Sequence, residues 1–188
     1  MVLVVYSSKD TVSLEITHRS YWNAGSSQGT GKTAAFTLPL LQHLMSDGAG
    51  GRRRRPVRAL IVVPTRELAA QITAEIHTLA KGTRIKAISI YGGVGQRPQV
   101  SGLRGRPDVI VACPGRLLDL IQQGHAKLDT IEALVLDEAD HMFDMGFLEP
   151  IRKIIEHLPV FLLFFLLRSD QNKVKNQKHH DHWRQKRK

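Results

Sequence analysis

Short apolar runs separated by polar, glycine-bearing stretches set the rhythm of the chain. Ala59 to Val63, Asp108 to Ala112 and Ala133 to Leu136 are apolar on both faces, the pattern of strands buried on both sides of a sheet. Ile85 to Tyr91 alternates and ends at Gly92-Gly93. Val12, Leu14 and Ile16 alternate with Thr11, Ser13, Glu15 and Thr17, as in a half-exposed strand. Helical stripes lie between these runs. Leu38, Leu41, Leu44 and Met45 form one, with a bend expected at Pro39. Leu68, Ile72, Ile76 and Leu79 form a second, opened by Thr65 as N-cap. Leu117, Leu118, Leu120 and Ile121 form a third, and Phe147, Ile151, Ile154, Ile155 and Leu158 a last. Strand, loop and helix repeated in this way predict an α/β domain: a parallel, doubly wound sheet between two helical layers, three layers in all. Val160 to Leu167 would fill a further strand slot or, left exposed, would be prone to aggregate.

A length of 188 residues allows one such domain with a real core, and too little for two of ordinary size. Expected boundaries are an irregular segment 1–23, a domain 24–167 and a tail 168–188 in which hydrophobic periodicity vanishes, as in disordered chains. Charge is uneven. The net +10 and pI of about 10.1 favour a polyanionic partner, but eight basic residues against two acids put +6 of it in the tail. Arg52 to Arg55 read by default as a solvated run, and His179, His180 and His182 as part of a solvated tail. The single cysteine, Cys113, excludes an internal disulfide and fits a reducing compartment. Met1 to Tyr6 is short and lacks a preceding basic residue, unlike a secretory signal. No apolar run approaches the ~20 residues of a membrane span, so a cytoplasmic location without membrane contact is expected.

Two stretches carry chemistry. Ser26-Ser27-Gln28-Gly29-Thr30-Gly31-Lys32-Thr33 ends like the phosphate-binding loop G-x-x-x-x-G-K-[ST], although Ser26 stands at its first glycine and no clear apolar strand precedes it. Gly29 and Gly31 permit the positive φ angles that turn successive N–H groups toward an anion. Lys32 would reach the β- and γ-phosphates, Thr33 would offer a hydroxyl to Mg²⁺, and the helix beginning at Thr30 adds its positive end. The plainer alternative is a glycine-rich turn capping a helix. The second stretch is Ala133 to Leu136, which runs into Asp137, Glu138 and Asp140. Ligands of open α/β sheets bind beyond the carboxyl ends of the strands, where Asp137 would hold Mg²⁺ and Glu138 would polarise an attacking water. Its plainer alternative is an acidic first turn favoured by the helix dipole. Arg66, in contrast, opposes the dipole of its helix start, and a phosphate contact would account for its place.

Gly-Thr-Gly-Lys-Thr at 29–33, Pro-Thr-Arg-Glu-Leu-Ala at 64–69, Gly92-Gly93, Pro-Gly-Arg at 114–116 and Asp-Glu-Ala-Asp at 137–140 follow one another along the chain. In this set and order the chain resembles the first RecA-like domain of DEAD-box ATP-dependent RNA helicases, of the bacterial kind in particular, from about Gln28 to Pro159. The resemblance implies a RecA-like P-loop NTPase fold, ATP and Mg²⁺ as cofactors, and hydrolysis coupled to local separation of RNA strands. It implies a nucleotide site made by Gly29, Thr30, Gly31, Lys32 and Thr33, with Lys32, Asp137 and Glu138 as catalytic residues and Thr33 and Asp137 toward the metal. It further implies RNA-backbone contacts from Thr65, Arg66, Glu67, Gly93, Pro114, Gly115 and Arg116, and a coupling role for Asp140. Backbone contact predicts little sequence preference and strong salt dependence.

The departures shape further expectations. An aromatic-plus-Gln adenine segment before residue 24 is lacking, Ser26 and Gln28 stand where such helicases usually carry alanine and threonine, and Cys113 stands for threonine. The Ser-Ala-Thr motif expected soon after Pro159 and the second RecA-like lobe with its arginines are missing from these residues. An arginine finger contributes roughly 10³ to 10⁵ in rate. The expectation is therefore trace ATPase activity and no unwinding by this chain alone, and a truncated, rearranged or misread helicase sequence. The alternative function is a non-catalytic module that grips RNA through its backbone motifs and basic tail.

Overall fold

A computed structural model describes residues 2–7, 12–17, 30–46 and 57–160, with side chains placed in 33–45 and 57–160. Its centre is a six-stranded sheet. The strands are β1 (Val2–Ser7), β2 (Val12–Thr17), β3 (Ala59–Val62), β4 (Ala87–Ile90), β5 (Val109–Ala112) and β6 (Ala133–Leu136), in the spatial order β2-β1-β6-β3-β5-β4. The last four are parallel to one another, as the apolar runs predict. The N-terminal pair is not: β1 and β2 form an antiparallel hairpin, and β1 lies antiparallel on β6, Leu3 opposite Leu136 and Tyr6 opposite Ala133. The sheet is thus parallel in its α/β core and mixed at one side. The strand expected over Val12 to Ile16 is present and runs in the same direction as the core strands; β1, which alone is reversed, joins it to β6.

β3, β5 and β6 are buried at every position, and their alternate residues feed two cores. Ala59, Ile61, Val63, Val109, Val111, Ala133 and Val135 face α1 (Thr30–Ser46) and α2 (Arg66–Leu79). Leu60, Val62, Ile110, Ala112, Leu134 and Leu136 face α4 (Pro114–Gln122), α5 (Ala139–Asp144) and α6 (Leu148–Ile155), together with Leu103 of α3 (Gln96–Arg104). These are the three predicted layers. The chain passes from β3 over α2 to β4, then returns through α3 to β5 and α4 to β6, so the helices change face where the strand order reverses. Such a reversal is where α/β sheets bind ligands.

Two predicted stripes are shifted in part. α1 buries Phe36, Leu40, Leu41 and Leu44 and leaves Leu38 and Met45 about half exposed; Pro39 lies inside the helix. α2 buries Ala69, Ile72, Thr73 and Ile76, and Leu79 faces solvent. In α2 the predicted Leu68, Ile72 and Ile76 do pack on the core and only Leu79 departs, whereas α1 carries apolar residues on several faces and packing against the sheet chooses among them. α3 has no counterpart in the predicted pattern. Val160 is exposed, while the rest of the apolar run to Leu167 and the tail 168–188 lie outside the described residues. Among the described residues no helix is long and apolar enough to cross a membrane.

Candidate functional site

α1 is anchored at its far end. Arg58, just before β3, donates from Nη1 to the Leu44 carbonyl (2.9 Å) and from Nε and Nη2 to Glu132 Oε2 (2.9 and 2.6 Å), Glu132 being the residue before β6. His43 Nε2 lies 3.4 Å from the same oxygen. Burial pushes the Glu132 carboxyl up, but the hydrogen bonds from His43 and Arg58 and their charge more than reverse this and hold it at about 2. The C-terminal end of α1 therefore sits where the strands begin, and the helix runs back across the sheet. From Leu44 to Thr33 is ~16 Å of helix at about 1.5 Å per residue. From Glu132 to Asp137 is ~16 Å of strand at about 3.3 Å per residue. The two lengths match, so a helix running straight back along β6 brings its first turn to the level of the acids after β6. Thr33, in that turn, is 4% exposed, and its carbonyl accepts from Thr37 Oγ1 at 2.8 Å. Thr30, Gly31 and Lys32 belong to the same turn by their backbone, while Gly29 lies outside the described residues.

Asp137 continues the ladder of β6, its N–H donating to the Val62 carbonyl at 3.0 Å. Its Oδ1 accepts the Glu138 N–H at 2.9 Å, which fixes the half-buried carboxylate at the strand end. Glu138 adopts φ 52° and ψ 42°. A non-glycine residue held there costs about 1–3 kcal/mol and persists only when its surroundings impose it; here Ala139 and Met142, both buried, pin the turn from the α5 side. Its Oε2 lies 3.3 Å from His141 Nδ1, and about half its side chain is exposed. Asp140, in the first turn of α5, is exposed. Among the described residues no three His, Cys, Asp or Glu are grouped to hold a metal. A single oriented carboxylate at the strand end is the kind of ligand that suits an ion which keeps waters and shares phosphate oxygens, the habit of Mg²⁺.

A second cluster forms at the same edge, toward β4. Thr65 caps α2, its Oγ1 accepting from the Leu68 N–H at 3.3 Å. Arg66 follows, exposed, with Nε donating to Glu67 Oε1 at 2.7 Å. That bond holds the guanidinium pKa up and the carboxyl down, and it answers in part why an arginine tolerates a helix start. Because the pair is solvent-exposed it contributes little stability, and a phosphate can replace Glu67 at small cost. Arg66 also reaches the loop after β4: a Cβ on Gly93 would stand 3.5 Å from its Nη1. Gly93 has φ +80°, open to glycine and strained for other residues. From the other side Arg116 Nη1 donates to the Val94 carbonyl at 3.2 Å. Pro114 occupies the first turn of α4, where a missing N–H costs nothing, and a Cβ on Gly115 would meet only open space.

Cys113 caps α4 without a side-chain hydrogen bond. Burial first, and the negative charge of Glu67 second, push its thiol up to about 11, so it is an inert apolar filler rather than a nucleophile.

Of the predicted residues, Asp137 and Glu138 share the turn after β6, and Thr33 lies in the first turn of α1. Thr65, Arg66, Glu67, Gly93, Pro114, Gly115 and Arg116 lie at the starts of α2 and α4 and in the loop after β4, at the ends of the parallel strands. Tyr91, Val94 and Gln99 were not foreseen. They matter through backbone carbonyls and a buried amide, and the only forewarning was a polar glutamine beside an apolar residue, Val100.

The sequence model of the DEAD/DEAH box helicase family matches residues 4–172. The chain is 41% identical over 131 residues to the DEAD-box ATP-dependent RNA helicase CshA of Geobacillus kaustophilus, 70% of this chain but 27% of that protein. It is 41% identical over 150 residues to the ATP-dependent RNA helicase RhlB of Proteus mirabilis, 79% of this chain and 35% of that one. It thus spans between a quarter and about a third of these relatives. Among solved structures it resembles the yeast DEAD-box splicing factor Prp28 (TM-score 0.62, 35% identity, 71% of this chain and 31% of that). It also resembles a hypothetical ATP-dependent RNA helicase from Sulfolobus tokodaii (TM-score 0.57, 34% identity, 70% and 36%).

Proposed function

We propose, for a chain that belongs to the DEAD/DEAH box helicase family, that residues 24–167 form the ATP-binding lobe of an RNA helicase, flanked by 1–23 and 168–188. What supports this reading is the oriented Asp137-Glu138 turn at the end of β6, with the Arg66–Gly93 and Arg116–Val94 contacts at the ends of the neighbouring parallel strands. A bound ATP·Mg²⁺ would supply the phosphoanhydride and the charge neutralisation of phosphoryl transfer. The residues of this chain do the rest. Gly29 to Thr33 would wrap the ATP phosphates with backbone N–H groups and Lys32 would neutralise their charge. Thr33 and Asp137 would hold the cation, and Glu138, held in its unusual backbone conformation, would orient the attacking water. Asp140 links this turn to the rest of the lobe. Thr65, Arg66, Glu67, Gly93, Pro114, Gly115 and Arg116 take the sugar-phosphate backbone of RNA, which carries no sequence information.

Arg66 and Arg116 are held on the β4 side, by Glu67 and Val94. With both arginines on the β4 side and assigned to RNA, the expectation of trace hydrolysis by these 188 residues alone stands. RNA-stimulated phosphate release tests the reading: it should be measurable, and abolished by Lys32→Ala and Glu138→Gln. RNA binding that ignores ATP and both substitutions, yet weakens when residues 168–188 are deleted, would mark a non-catalytic RNA-binding module instead.

A further inference from the structure

Among the described residues β4 is the edge strand of the sheet, and no described strand lies beyond Tyr91, the residue after it. Gln99 of α3 takes that place. It is 8% exposed, its Oε1 accepts the Tyr91 N–H at 3.2 Å, and its Nε2 donates to the Tyr91 carbonyl at 3.0 Å. One carboxamide thereby exchanges both hydrogen bonds with one residue, as a paired strand does. The same Nε2 lies 3.5 Å from the Gly95 carbonyl, so it ties the loop 92–95 at entry and exit. Within the loop Gly92 and Gly93 have no side chains to pack and Val94 is largely exposed. A cavity of about 450 Å³ beside the contact, lined in part by Ser89, Tyr91, Val94 and Pro98, leaves the loop room to shift. Removing the amide would strand the part-buried N–H and C=O of Tyr91, and polar groups left without partners away from bulk water move to find them.

We propose that Gln99 is a positioning residue for RNA-backbone binding: its buried amide fixes the loop on which Gly93 meets Arg66 and Val94 meets Arg116. This role rests on the reading of this edge as an RNA surface. Gln99 touches no RNA itself; it sets the spacing of two arginines that do.

The test uses the full 188-residue chain and a fluorescent single-stranded uridine 12-mer, with binding followed by anisotropy across a salt series, and Mg²⁺-ADP affinity measured alongside. Gln99→Met, of similar size without the polar pair, should weaken RNA binding on the order of 10-fold. It should also flatten the plot of log K against log salt by about 1.4, the share of two phosphate contacts on a single strand. ADP affinity should not change. Gln99→Glu keeps the acceptor but loses the donor to Tyr91 and should weaken RNA binding in the same direction; it replaces the Met variant if that one loses its cooperative unfolding transition. Unchanged RNA affinity, weakened affinity with an unchanged salt slope, or a parallel fall in ADP affinity overturns the role of Gln99. If the wild-type chain binds no RNA, or Arg66→Ala and Arg116→Ala leave its binding intact, the reading of the surface itself fails.

Discussion

Replacing Glu132 with glutamine removes the carboxylate that ties the start of β6 to Arg58 and, through Arg58, to the C-terminal end of α1. The Glu132 carboxyl stands at about 2, against ~4.3 for a free glutamate, and each unit is worth ~1.4 kcal/mol, so the charged form contributes roughly 3 kcal/mol to folding. About a third of the side chain reaches water, and screening lowers the figure to ~2 kcal/mol. The folded-state pKa lies below the unfolded one. The contribution is therefore complete above about pH 5, declines as pH falls through ~4.3, and is gone near pH 2. Urea unfolding of wild type and Glu132→Gln should differ by ~2 kcal/mol at pH 7, with the gap narrowing steadily between pH 5 and pH 2. Arg58→Met should cost a similar amount, and the double variant less than the sum, because the residues share one interaction. A gap below ~0.5 kcal/mol at pH 7, or one that acid does not narrow, would refute the account of how α1 is fixed. Because the clamp sets the level of Thr33 relative to Asp137, Glu132→Gln should also weaken nucleotide binding from the opposite edge of the sheet.

Other expectations follow from single residues. With its thiol at about 11, Cys113 should react with iodoacetamide at pH 7.5 on the order of 100-fold more slowly than a free thiol; Glu67→Gln should speed it, and reaction at the rate of glutathione would contradict the burial. Glu138→Gly should hold or raise the unfolding midpoint by relieving a left-handed residue while abolishing phosphate release, whereas Glu138→Val should lower stability by at least ~1 kcal/mol. A Gly variant clearly less stable than wild type would argue against strain at that position. Thr65→Ala should cost ~1 kcal/mol through the lost α2 cap, read by thermal unfolding.

The central strands were legible because each is a short apolar run bounded by polar residues, and burial on both faces leaves little room for another pattern. The acids after Leu136 and the Gly-x-Gly-Lys-Thr signature were legible for a different reason: both sit where strand ends and helix starts put chemistry. The α1 stripe was not. Leu38 and Met45 are as apolar as Leu40 and Leu44, and only contact with Ile61 and Val135 decides among them. α3 escaped because Gln96 to Arg104 is mostly polar and holds its place by Leu103 and a buried glutamine. The Arg58–Glu132 clamp joins residues 74 apart in sequence, and no local pattern announces it. The reversed direction of β1 was equally hidden, since an apolar run marks a strand but not its sense.

The most direct test of the proposed site is Mg²⁺-dependent binding of a fluorescent ATP analogue to the 188-residue chain, compared among wild type, Lys32→Ala, Asp137→Asn and Glu138→Gln. If the first turn of α1 and the end of β6 form one nucleotide site, Lys32→Ala and Asp137→Asn each lose about tenfold or more in affinity, Asp137→Asn loses the response to Mg²⁺, and Glu138→Gln binds like wild type without turning over. Equal binding by wild type, Lys32→Ala and Asp137→Asn, or binding indifferent to Mg²⁺ in the wild type, would contradict it.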